Sequence, residues 1–194
     1  MISRNQRAAG VTTAGLLAMV LLVGCSQSSG VGTHGARAEI YTSVGSLVED
    51  SSAIATVVID SSEQTRSSAG SPMTVATATV IENVAAPSIG LDSREGPLDA
   101  TLESNDEITI RQMGSPDTDQ ETPYLQPGET YLVFLASTGL PDVPDTEFYI
   151  TGAVAGIYGA DDSAARGSAP QFERLGEDPD KLPDILTTEE IAGL

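Results

Sequence analysis

Asp117, Asp119 and Glu121 stand at alternate positions in the run Asp117-Thr118-Asp119-Gln120-Glu121, and a second acidic pair follows at Asp161-Asp162. Carboxylates spaced this way in a loop offer hard oxygens to Ca2+, which gathers a shell of oxygen ligands. The run lacks the glycine and the distal glutamate of an EF-hand loop, so a solvated acidic loop is the competing reading. Paired carboxylates also carry out glycoside hydrolysis. In a chain with 28 acidic residues some pairing is inevitable, however, and three Phe, five Tyr and no Trp leave little aromatic surface for a sugar platform. His34 is the sole histidine and precedes the β-rich region, which leaves that region without a Ser-His-Asp triad, a Cys-His pair or a histidine metal site. No phosphate-cradling glycine loop opens a helix. Tyr131, Phe134, Phe148, Tyr149, Tyr158 and Phe172 read as core rather than as a groove, with Tyr149 and Tyr158 needing partners for their hydroxyls.

The one thiol has a different chemistry. Arg4 and Arg7 precede an uncharged, apolar or small-residue run from Ala8 to Val23. As a helix that run rises roughly 24 Å, short of the ~30 Å hydrocarbon thickness of a bilayer. A positive start, a short apolar stretch and a small-residue exit predict a signal peptide over residues 1–24. At its end Leu22-Val23-Gly24-Cys25 resembles the lipobox of bacterial lipoproteins. The resemblance implies a lipid on the Cys25 thiol, cleavage that leaves Cys25 as the new N-terminus, and attachment to the outer face of the cell membrane. A plain signal peptide or an uncleaved anchor are the alternatives. Arg4 and Arg7 are separated by Asn5 and Gln6, so no twin-arginine signal is present and export through the general secretion route is expected. Residues 25–38 then read as the lipidated cysteine and a Ser/Gly-rich flexible tether. A lipidated Cys25 leaves no cysteine for a disulfide staple.

Residues 39–194 have the length of one domain. The chain carries 28 acidic and 9 basic residues, for a formal charge of −19. Losing Arg4 and Arg7 with the signal peptide makes the exported chain more acidic still. Such a field repels nucleic acid, DNA included, and anionic headgroups, while favouring solubility.

The elements that position these side chains are mostly strands. Val44–Ser51 reads as a short helix capped by Ser43. Ala53–Asp60 is a β-branched strand, and Glu63–Ser71 a polar loop. Pro72–Val84 is a long strand with Val75, Thr77, Thr79 and Ile81 on one face, opposite Ala76, Ala78 and Val80. Residues 85–105 read as a loop excursion. In Asp106–Met113, Ile108 and Ile110 alternate inward while Glu107, Thr109 and Arg111 face water. Gly114–Tyr124 is an acidic loop, and Gln126-Pro127-Gly128-Glu129 a turn. Thr130–Ala136 is an apolar run buried on both sides. Thr146–Tyr158 reads as one strand, with Gly152 and Gly156 marking bulges or bends. Gly159–Leu194 is expected to be mostly loop, ending in a short helix with a Thr187–Glu190 capping box.

Together these predict a mainly β chain: a small antiparallel OB-like barrel of about five to six strands, or a β-sandwich, with short helical pieces at the ends. The segments 52–58, 75–84 and 127–135, the last reading Pro-Gly-Glu-Thr-Tyr-Leu-Val-Phe-Leu, are similar to a pattern in secreted proteins and lipoproteins of Gram-positive, actinobacterial-type bacteria. Residues 45–158 also resemble netrin/TIMP-like OB barrels, a group usually rich in disulfides. That resemblance implies a barrel and a cell-surface setting and assigns no catalytic residue.

Three functions remain open. One is a non-enzymatic module binding a surface protein or envelope component, and another is a lipoprotein for a small ligand or Ca2+. The third is a hydrolase working with carboxylates alone. No other cofactor is expected.

Overall fold

In the computed structural model, residues 40–85, 102–118, 122–161, 170–175 and 180–194 are described. All of them belong to one compact unit. Ser43, in extended backbone, accepts the Ser46 N–H at its Oγ (3.2 Å) and so caps α1 (Val44–Glu49), whose Leu47 is fully buried. The β-branched run after it opens β1 (Ala53–Arg66), a strand longer than its apolar half. The expected loop from Glu63 is in fact strand as far as Arg66, followed by a turn in which Gly70 takes a φ of 83°. Antiparallel β2 (Pro72–Ala85) returns along the whole length of β1. Irregular register at Ile54/Ala55, Thr56/Val57 and Ile59/Ser61 bends β1, as bulges do.

Three further strands complete a ring: β3 (Glu107–Met113), β4 (Thr130–Ser137) and β5 (Glu147–Ile150). The pairings run β1-β2-β3-β5-β4, and β4 then pairs with Ala53–Val58 of β1. This agrees with the expected mainly β, barrel-like architecture. One junction, β3 with β5, is parallel, and among the described residues the sheet has eight strands rather than five or six.

The additional strands come from two corrections. Thr146–Tyr158 is not one strand. Residues 151–156 leave the ladder as a 3-10 turn (Ala153–Gly156), and the chain resumes as β6 (Ile157–Ala160), still antiparallel to β4. The Thr151 N–H donates to the Phe134 carbonyl at the exit. The break lets β5 pair with β3 while β6 turns to β7 (Gln171–Arg174). Gly152 has a φ of 63°, and a Cβ there would lie 2.5 Å from the Tyr41 ring, so glycine is required. The second correction is the C-terminal segment expected as loop. It contributes β7, β8 (Ile185–Thr187) and α2 (Thr188–Ala192), the helix starting at the expected Thr187–Glu190 capping box.

Two cores result. Inside the ring, Ala53, Ala55, Ala76 and Ala78 leave room for Ile108, Ile110, Tyr131, Leu135 and Phe148. Outside it, Ile54, Leu132 and Phe134 are covered by Leu47, Tyr158, Phe172, Leu186 and Ile191. Strand β4 therefore buries both faces, which accounts for its unbroken apolar sequence. Each of its large side chains contributes about 1.5–3 kcal/mol by burial.

Candidate functional site

Beyond Ile59 the β1–β2 hairpin outruns the ring. Gly128 N–H donates to the Ile59 carbonyl and Ile59 N–H to that of Glu129, after which, among the described residues, β1 continues paired with β2 alone. Cross-strand partners share a face. Ser62 opposite Ala76, Gln64 opposite Thr74 and Arg66 opposite Pro72 therefore extend the barrel's inner face past its mouth. The lining changes from alanine to hydroxyl, amide and guanidinium groups as the hairpin leaves the core.

The loop after β3 crosses that mouth and is fixed to it. Gly114 N–H donates to the Pro72 carbonyl (2.9 Å) and Thr74 Oγ1 to that of Gly114 (3.1 Å). The buried Gln112 amide donates from Nε2 to the Pro123 carbonyl and accepts the Leu125 N–H at Oε1, both at 3.0 Å. Satisfied in this way, a buried amide costs little and pins the loop. Thr118 N–H closes a turn on the Ser115 carbonyl (2.9 Å).

Between hairpin and loop lies a cleft of about 590 Å3, lined by Gln64, Thr65, Arg66, Pro72, Ser115, Asp117 and Thr118. Arg66 donates to the Gly70 carbonyl (2.8 Å). Neither Arg66 nor Asp117 is engaged in a salt bridge, so a cation and an anion both keep bonding capacity toward one volume. The other two described arginines are taken: Arg111 pairs with the buried Glu147, and Arg174 with Asp184 at 3.3 Å. Arg111, expected to face water, is half-buried because β5 lies alongside β3 and brings Glu147 onto it. Such a lining offers donors and acceptors to the same volume.

Of the acidic residues proposed for Ca2+, Asp117 is exposed on this cleft, whereas Asp119 and Glu121 lie outside the described residues. Among the described residues no three carboxylates, histidines or cysteines converge on one point. Leu22, Val23, Gly24, Cys25, His34 and Asp162 also lie outside them. The aromatic residues go where expected, to the cores, except that Tyr149 is half-buried. Tyr158 is fully buried and donates to the Pro183 carbonyl (3.3 Å). Gln64 and Arg66 escaped the sequence reading because their strand has no apolar face at that point. The usable signal was the turn Ser67–Ser71, flanked by stretches able to pair at equal distance from it.

No family model matches the chain, and no curated protein matches it significantly.

Proposed function

We propose that this protein is a lipid-anchored, extracytoplasmic binding module, held at the cell membrane through Cys25, that engages a surface protein or envelope component without chemical turnover. The observation that carries the reading is the cleft under the overhanging hairpin, with Arg66 and Asp117 presenting opposite charges to one polar volume. Polar linings of this kind orient a ligand, while the affinity comes from the area around them. The netrin/TIMP-like resemblance supports the same cell-surface setting.

Crosslinking on intact cells tests it, with the domain carried either by its own signal and tether or by those of an unrelated lipoprotein. A partner should follow the domain in both, and the double variant Arg66→Glu, Asp117→Lys should reduce its recovery about tenfold. Repeated captures with nothing specific overturn the reading and favour a small ligand. In that case Ca2+ at Asp117, Asp119 and Glu121 is the first to titrate, read as a rise in melting temperature.

A further inference from the structure

We propose that the open edge of β1, from Asp60 to Arg66, accepts an extended basic segment of a protein partner as an added strand. This rests on the binding-module reading and names how the partner is held. Among the described residues, β1 has a second neighbour only as far as Val58, through β4, and Ile59 closes on Gly128 and Glu129. From Asp60 onward it pairs with β2 alone. That leaves about 20 Å of strand edge, the length of an ordinary strand in a sheet.

Three features favour an incoming strand here. The edge is already held in β-geometry by its pairing with β2, so little order has to be created on this side when a partner binds. It carries neither proline nor lysine, two of the devices that blunt such edges. Its side chains also sort by face. Asp60 accepts the Thr79 hydroxyl (2.8 Å) on the outer face, where Glu63 stands opposite Val75, while Ser62 lies on the inner face with Gln64 and Arg66, which line the cleft. A strand laid along the edge alternates its side chains between the two faces. Lys or Arg at alternate positions then meets Asp60 and Glu63, and small polar residues between them meet Ser62 and Gln64 at the cleft's border. The same acids disfavour a second copy of this chain, because two proteins of formal charge −19 repel one another.

The test uses the full-length protein in detergent at low salt and a short synthetic peptide alternating Lys with Thr. Two further versions are N-methylated, one at every Lys and the other at every Thr, so that each blocks one backbone edge and keeps the charge. Strand addition predicts amide-exchange protection confined to Ser61–Thr65 and about tenfold weaker binding for one methylated peptide but not the other. The variant Asp60→Lys, Glu63→Lys should weaken the parent peptide to a similar degree. Equal binding by both methylated versions, protection elsewhere, or no binding at millimolar peptide overturns the inference. A partner captured on cells whose recovery is unchanged by the edge variant also overturns it and leaves the binding-module reading intact. Failure of capture alone removes that reading, while peptide protection at the edge still stands for strand addition.

Discussion

Tyr158 shows how a single side chain ties stability to pH. Its ring is fully buried among Phe134, Phe172 and the C-terminal strands, and its hydroxyl donates to Pro183. Burial raises its pKa above the ordinary 10.0, against a smaller lowering from the Arg174 charge, with Asp180 and Asp184 adding to the rise. The folded chain thus keeps a proton that the unfolded chain gives up. Stability is complete below pH 10.0 and declines as pH rises beyond it. Each proton withheld steepens the decline by at most about 1.4 kcal/mol per pH unit. Urea unfolding of Tyr158→Phe should show a loss of about 1 kcal/mol at neutral pH from the missing hydrogen bond. Above pH 10 its slope should be shallower than wild type, though not flat. Tyr131, raised chiefly by burial and partly offset by the hydrogen bond it accepts from Gln126 N–H, keeps a share. An unchanged alkaline slope in the variant means the phenol is not what limits stability there.

At the scale of elements, β6–β8 and α2 form a strap over the outer face of β1 and β4. Phe172 is the one large side chain that β7 buries, packed in the second core with Phe134 and Tyr158. Truncation to Ala should cost about 3–5 kcal/mol, measured by urea unfolding at pH 7, far more than truncation of the exposed Ile185 on the neighbouring strand β8. A loss under 1 kcal/mol would show that the strap is loosely held. The strap also marks where sequence reading succeeds and fails. Strand β4 was legible because both its faces are buried, Ile108 and Ile110 because their neighbours alternate, and α2 because Thr187 and Glu190 cap reciprocally. Strands β7 and β8 were not, since each buries a single side chain and no period can show. The outer half of β1 hides for the opposite reason: it leaves the barrel, so no face needs to be apolar. The cleft was legible only at Asp117. Its other half comes from a distant hairpin, brought near by the crossing of the loop after β3.

For the whole molecule, the charge of −19 and the proposed anchor act together. An acidic domain is repelled by anionic headgroups and would stay off the surface to which the proposed lipid holds it. Replacement of Cys25 by Ser removes the thiol proposed to carry the lipid. The variant should move from the membrane fraction to the medium or to an unprocessed precursor, read by fractionation and by mass. Retention of a processed, membrane-bound form in that variant would overturn the anchor. The domain itself should keep its fold when released, because both cores are closed by residues after Ile40.

The clamp where the domain begins has a mechanical consequence. Tyr41 N–H donates to the Asp180 carboxylate, and Lys181 N–H donates to the Tyr41 carbonyl (2.9 Å). Tension drawn through the N-terminal side therefore enters at the strap before it reaches the barrel ladder. Under load this junction takes the force first, ahead of the ring of β1 to β5 and the cleft at its far mouth.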